Sequence, residues 1–409
     1  QGYRLKGASA VIEKDLAAGL LAKEVDADVL LILTDVPNVY VNYGKEDQKA
    51  LETLSVQEAE ELMAEGQFEA ATMLPKIEAG SRAIMEHYHR MGIEAEKVEK
   101  GVDYGIYHTT FKIKDDPLVS VIIPNKDHRQ DLDLCIRSMI TRGTYKNLEF
   151  VVIENNSTDP ETFVYYEAIQ KEFPQVRVVT WTREFNYSAI NNFGVQAAKG
   201  QYLLFLNNDT ELIAENFVEE MLGFCQREDV GAVGARLLYQ DDTIQHAGVV
   251  IGFGGVAGHT FIGLHKAENS YFHRAMCAQD YSAVTAACMM SKKSVFDAVG
   301  GFSEDLAVAF NDIDYCMKVR SLGKLVVYAP YALLYHYESK SRGLEDTPEK
   351  VARFNREVAK FAKKWPEILK NGDPYYNPNL TLRKSDFSLR DLLKEKIGEP
   401  YKLPEIKEQ

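Results

Sequence analysis

Leu203-Leu204-Phe205-Leu206-Asn207-Asn208-Asp209-Thr210 sets four consecutive apolar residues against a polar, acidic turn, with Gly200 just upstream. An uninterrupted apolar run of this length reads as a short strand buried on both faces. A buried strand that releases a carboxylate at its C-terminal end is where open α/β sheets gather their ligand chemistry. An oxygen-rich tip of this kind suits a hard divalent cation that leaves room for phosphate oxygens. Taken alone, the same residues also describe an Asx-rich turn closing a strand, so the reading depends on the flanking chain.

Working outward, the periodicity alternates in βα units. Leu118–Ile123 reads as a doubly buried strand opened by Pro117, and Asp131–Thr141 as a helix. Leu148–Ile153, Val176–Thr180 and Tyr202–Leu206 follow as strands, with helices over Pro160–Glu172 and Tyr187–Ala198 between them. β-branched, continuously apolar strands predict a largely parallel central sheet. The strand ends are polar: Pro124-Asn125-Lys126-Asp127, Glu154-Asn155-Asn156-Ser157-Thr158-Asp159 and Asn207-Asn208-Asp209. Three such ends at one sheet edge describe a nucleotide crevice.

Residues 84 to about 385 resemble the family 2 glycosyltransferases of the GT-A fold, in particular their rhamnosyltransferase-like members. The words that carry this are PLVSVIIPNKD, LEFVVIENNSTD, FNYSAINNFGVQAAKGQYLLFLNNDTEL, AVTAACMMSKKSVFDAVGGFSEDL and FNDIDYCMKVRSLGKLVVYAPYALLYHYESKSRG. The resemblance implies an inverting, metal-dependent transferase. Asn207-Asn208-Asp209 falls on the family's Asp-x-Asp signature. Asp209 would hold Mn²⁺ or Mg²⁺ on the donor's diphosphate, and Asn207 stands where the family has its first Asp. Glu154 falls where the family reads the donor base, with Pro124 and Asn125 lining the same pocket and Asn191 at a helix start that contacts the nucleotide. Asp312, in Phe310-Asn311-Asp312-Ile313-Asp314, matches the catalytic base. His336 would complete the metal shell, and Arg342 would clamp phosphate. An inverting transfer needs one carboxylate to accept the acceptor hydroxyl's proton and a cation to stabilise the leaving diphosphate. Asp314 is also the kind of acid that a helix N-terminus favours.

Residues 2–83 resemble the C-terminal part of carbamate kinase, of the amino-acid kinase family, through AVIEKDLAAGLLA, LLILTDVPNVYVNYGK and EGQFEAATMLPKIEAG. By that resemblance Lys14 and Lys76 would face ATP phosphates and Asp35 the nucleotide. The family's glycine-rich first half has no counterpart in this sequence, and Ala71-Thr72-Met73-Leu74-Pro75-Lys76 stands where the family has Gly-Ser-Met-Gly-Pro-Lys. Losing those glycines removes the close backbone approach that a phosphate needs. The expectation is a partial kinase-like α/β segment serving as scaffold. The expected division is 1–83 kinase-like, 84–116 a joining helix and strand, 117–345 the GT-A domain, and 346–409 a C-terminal helix with a loosely held tail.

Composition bounds the partners. The 409 residues carry a formal charge of −14, which argues against a nucleic-acid binder that neutralises phosphate. Five scattered cysteines suggest neither a zinc spacing nor a disulfide framework, so a reducing cytosol is expected. No apolar run reaches transmembrane length and no signal-peptide pattern opens the chain. Gln1 in place of Met points to an upstream piece. The stretch Gly248–Gly263 lacks dinucleotide-fingerprint spacing and reads as a flexible acceptor-side loop. His246, His259, His265, His273 and Cys277 are too irregularly spaced for zinc. Glu304-Asp305 resembles the family's acceptor-side loop.

These expectations describe a cytoplasmic enzyme moving a sugar from a nucleoside-diphosphate donor to a glycan or lipid-linked glycan in cell-surface polysaccharide synthesis. Rhamnose from a dTDP-sugar is favoured, with UDP-sugars close behind. A lipid-linked acceptor would bring it peripherally to the inner face of the membrane, although the tail lacks basic clustering. The alternatives are a non-catalytic sugar-nucleotide or glycan binder, which Asn207 supports, and a carbamate-kinase-like remnant.

Overall fold

The computed structural model describes residues 38–51, 56–68, 88–100, 106–337 and 347–394, with the isolated positions Ala18 and Leu21. Lys14, Asp35, Lys76 and Arg342 lie outside the described residues. Contacts gather the chain into two compact units, 1–112 and 113–409. The first carries strands β1 (Val39–Val41) and β2 (Lys49–Leu51), helix α1 (Val56–Ala64), and strands β3 (Ala95–Lys100) and β4 (Tyr107–Phe111). β1 pairs antiparallel with β2, and β3 with β4. Ala95–Lys100, within the span expected to be helical, is therefore a strand, because its partner Tyr107–Phe111 lies just across a short connection.

The second unit opens with β5 (Val119–Asn125), α2 (Arg129–Arg137), β6 (Leu148–Glu154), α3 (Pro160–Glu172), β7 (Val176–Thr180), α4 (Tyr187–Ala197) and β8 (Tyr202–Leu206). The helix starts are written in the sequence. The Asp159 side chain accepts from Glu161 N–H with Pro160 in the first turn, and the Asn186 side chain accepts from Ala189 N–H. β5, β6, β7 and β8 are parallel neighbours in the order β7-β6-β5-β8. The winding direction therefore reverses between β5 and β8. Leu203, Leu204, Phe205 and Leu206 are fully buried, each contributing about 1.5–3 kcal/mol by burial.

Beyond β8 come β9 (Thr210–Leu212), α5 (Phe217–Cys225), β10 (Val230–Leu238), β11 (Ile244–His246), β12 (Val249–Ile251), β13 (Ala257–His259), β14 (Gln279–Asp280), β15 (Cys288–Lys292), α6 (Lys293–Ala298), α7 (Asn311–Ser321) and β16 (Leu325–His336). Here the ten-stranded sheet turns mixed. β15 runs antiparallel to both β8 and β10, β16 runs parallel to β10, and β9 and β14 add antiparallel to β16. The last of these, β16, spans twelve residues. It is one long strand whose register jumps between Ala235↔Ala329 and Arg236↔Leu333, the surplus residues beginning at Pro330.

The stretch expected to be a flexible loop holds the β12–β13 hairpin, with Val249, Val250 and Ile251 buried. The C-terminal part also differs from a loose tail. After α8 (Pro348–Lys364) and α9 (Pro366–Asn371), the buried side chains of Tyr376, Leu380, Leu382 and Phe387 join the cluster around Phe253 and Phe261. Asp373 anchors it, accepting from Ile251 N–H at 2.8 Å and Ser282 Oγ at 2.7 Å. Beyond the short alternation at Leu380 and Leu382, those apolar side chains, set among Asn, Pro and charged residues, follow no sustained helical or strand period that would announce their burial. Among the described residues no helix is long and apolar enough to cross a membrane.

Candidate active site

The parallel strands end together. Asn208 Nδ2 donates to Asn125 Oδ1 at 2.6 Å, tying the tip of β8 to that of β5 where the winding reverses. Asn125 Nδ2 in turn donates to Tyr166 Oη at 2.7 Å, and Tyr166 donates to Glu154 at 2.7 Å. Glu154 is 3% exposed and also accepts from Ser157 N–H and Oγ. Both of its carboxylate oxygens thus order the loop after β6. Pro124, half-buried, and Asn125 sit in register beside Ile153 and Glu154. Asn191 is fully buried on α4. Its Nδ2 donates to Tyr187 O at 2.8 Å, while its Oδ1 has no partner among the described residues.

His336 reaches this edge through register. It is the strand partner of Thr210, and Tyr337 N–H donates to Asp209 O at 2.8 Å. As a result His336 Nε2 lies 3.2 Å from Asp209 Oδ1 and 3.1 Å from Asn207 Nδ2, all at a half-buried to buried tip. On its other side His336 Nδ1 is 2.5 Å from Gln245 Oε1. An amide oxygen accepts, so Nδ1 carries a proton, and Nε2 is the ring nitrogen that faces Asp209. Two electron-pair donors aimed at one another at this distance call for a proton or a cation between them. A carboxylate, an imidazole and the amide of Asn207 form a donor set suited to a divalent cation that takes further oxygens from a diphosphate. Among the described residues no group of three or more His, Cys, Asp or Glu side chains could hold a metal by itself. The nearby Cys135 thiol is no candidate ligand: burial pushes it up to about 12, opposed by the Thr210 hydrogen bond and assisted by the Asp209 charge.

Asp312 lies in the first turn of α7 and is half-buried. Its Oδ2 accepts from Ala286 N–H at 3.1 Å, and its Oδ1 from Ile313 N–H at 2.8 Å. The next residue, Ala287, accepts from Asn207 N–H at 3.0 Å. One residue step, about 3.8 Å between Cα atoms, thus separates the anchor of Asp312 from the anchor of the β8 tip. Asp314 faces away into the interior. It is fully buried and accepts from Ser303 Oγ and Trp365 Nε1, with Lys364 Nζ at 2.7 Å.

Sequence reasoning missed Gln245 and Tyr166. Gln245 lies on a short strand without a motif, and only the β10–β11 pairing brings it to His336. Tyr166 sits mid-helix among other aromatics with nothing to single it out.

Residues 120–296 match the model of glycosyl transferase family 2, and residues 1–93 that of the amino acid kinase family. The protein y4gI of Sinorhizobium fredii is 46% identical over 314 residues, 76% of this chain and 34% of that protein. O-antigen biosynthesis protein RfbC of Myxococcus xanthus is 37% identical over 313 residues, 76% of this chain and 24% of its own length. The chain therefore spans a quarter to a third of these relatives. Carbamate kinase 2 of Enterococcus faecalis is 60% identical over 73 residues, 18% of this chain and 23% of the kinase. Among solved structures, GalNAc-T7 with UDP, GalNAc and Mn²⁺ superposes with a TM-score of 0.52 at 15% identity, over 65% of this chain and 50% of that one. The fold is the GT-A arrangement that the sequence words imply.

Proposed function

We propose that residues 113–394 carry a metal-dependent inverting glycosyltransferase that moves a sugar from a nucleoside diphosphate to a hydroxyl of a glycan or lipid-linked glycan. The carrying observation is the facing pair Asp209 Oδ1 and His336 Nε2 at 3.2 Å, at the switch point of the sheet and one residue step from the anchor of Asp312. The similarity to an O-antigen biosynthesis protein supports a cell-surface polysaccharide as the product. Rhamnose from a dTDP-sugar is the first donor to try, and UDP-sugars the second.

Asp209, His336 and Asn207 would hold Mn²⁺ or Mg²⁺. When bound, that ion neutralises charge on the departing diphosphate. Asp312 accepts the proton of the acceptor hydroxyl as its oxygen forms a bond to the anomeric carbon. The bond from that carbon to the diphosphate oxygen breaks on the opposite face, so configuration inverts. The Ala286 and Ile313 amides hold the Asp312 carboxylate in place for this role. Asn125, Asn208 and Glu154 frame the nucleotide end through their shared hydrogen bonds rather than as isolated side chains. Asn191 offers its unpartnered Oδ1 as an acceptor.

Calorimetric titration of UDP, dTDP and GDP with and without Mn²⁺, on the wild type and on Asp209→Asn, tests this. Binding that requires both Mn²⁺ and Asp209 is the expected result and identifies the base. No nucleotide binding under any condition would overturn the reading.

A further inference from the structure

The C-terminal helix α8 grips the chain on both sides of Asp312. Glu357, in the middle of α8, is 3% exposed. Its carboxylate accepts from three consecutive backbone amides: Ala307 at 3.0 Å, Val308 at 3.2 Å and Ala309 at 2.7 Å. Successive N–H groups converging on one anion form a nest that fixes the backbone carrying them. The residue after the nest, Phe310, holds a left-handed conformation (φ 61°, ψ 6°), which a bulky side chain adopts only when its surroundings impose it. Its ring packs against Phe354 and Phe361 of the same helix, at 5.4 and 5.5 Å between centroids. Phe354, Glu357 and Phe361 share one face of α8 by their spacing.

Downstream of Asp312 the same helix closes the grip. Lys364 Nζ lies 2.7 Å from Asp314 Oδ1, and Trp365 Nε1 donates to that oxygen at 2.9 Å. On the far side of the loop, α4 holds the backbone: Tyr187 N–H donates to Ala307 O at 2.8 Å and Ser188 Oγ to Leu306 O at 2.6 Å. The chain from Leu306 to Asp314 is thereby pinned between α4 and α8, with Asp312 inside the pinned span.

We propose that Glu357 is a positioning residue for Asp312, and that α8 is a working part of the active site. This rests on the transferase reading above. Its contribution is geometric: Glu357 touches no reacting atom, and it sets where the Asp312 carboxylate stands relative to the acceptor hydroxyl. A displacement of about 1 Å in such a group can cost about 100-fold in rate.

The test uses the full chain with Glu357→Gln, which keeps size and one acceptor oxygen, and Glu357→Ala. Three readouts are taken: nucleotide binding with Mn²⁺, kcat for sugar transfer, and hydrogen exchange of the Ala307, Val308 and Ala309 amides. The expected result is nucleotide Kd within about twofold of wild type and kcat lowered about 10- to 100-fold in Glu357→Ala. Glu357→Gln should fall between, and exchange should quicken at those three amides while the β5–β8 amides stay protected. Unchanged kcat in both variants, with wild-type nucleotide binding intact, overturns the proposal and leaves the transferase reading standing. A matching loss of nucleotide binding also overturns it, since Glu357 would then be supporting the whole unit. Failure of the wild type to bind any nucleotide overturns the transferase reading itself, a result separate from either.

Discussion

Asp209 and His336 meet because Thr210 and His336 are strand partners, and the chemistry of the tip follows from which proton His336 carries. Gln245 Oε1 accepts the Nδ1 proton, leaving Nε2 as the atom that would face the proposed cation. Gln245→Leu keeps the bulk and removes the acceptor, so Mn²⁺ affinity in the presence of a nucleoside diphosphate should fall about 10- to 100-fold, measured by calorimetry. Asp312→Asn should leave that affinity in place and lower transfer by about 10²- to 10⁴-fold, read as kcat under saturating donor. His246, next in sequence to Gln245, is fully buried; burial holds its pKa well below the ordinary histidine value, and the nearby His259 and His336 add to this. The unfolded chain therefore takes up a proton that the folded one refuses once pH drops below about 6.5. Stability present above that pH is lost as pH falls toward the depressed value, by about 1.4 kcal/mol per unit at most. The check is urea denaturation at pH 7 and pH 5.5: the difference should shrink in His246→Gln.

At the scale of elements, the site depends on how closely α4 lies on the sheet. A Cβ built at Gly194 would stand 2.8 Å from both Ile122 and Ile153, side chains of β5 and β6. The helix thus rests on the strands whose tips carry Asn125 and Glu154, and the α4 start holds Ala307. Gly194→Val should cost about 1–3 kcal/mol through overpacking, seen as a lower urea midpoint with unchanged m. The helices and parallel strands around α4 were legible in the apolar runs and their βα alternation, because continuous burial is a local property. The paired positions of Glu357 and Asp314 were not. Each reads as an ordinary acid on a helix, and only packing makes one a nest partner and the other a buried anchor.

For the molecule as a whole, every described residue of the candidate site lies in the unit 113–409, and the kinase-like match ends within the other unit. Residues 113–409 expressed alone should therefore bind nucleotide and Mn²⁺ with the affinity of the full chain, within about twofold; a larger loss in calorimetry would show that the first unit serves the site. Ending the chain at residue 346 should be far more damaging. It would uncover Phe253 and Phe261, strip away Tyr376, Leu380, Leu382 and Phe387, and release the Glu357 nest. Binding of a hydrophobic dye together with loss of cooperative melting would register it.

By the resemblance of its words the sequence pointed to Asp312; by itself it determined the βα order, the parallel half of the sheet and the polar strand tips, with the carboxylate at 209. These depend on runs and spacings of a few residues, where backbone preference and burial speak directly. Tertiary structure alone decided the rest: the mixed half of the sheet, the register that seats His336 opposite Thr210, the hold of Gln245 on His336 and the grip of α8 on the chain flanking Asp312. Those contacts join residues far apart in the chain, and their geometry comes from strand register and helix docking, which no local period encodes.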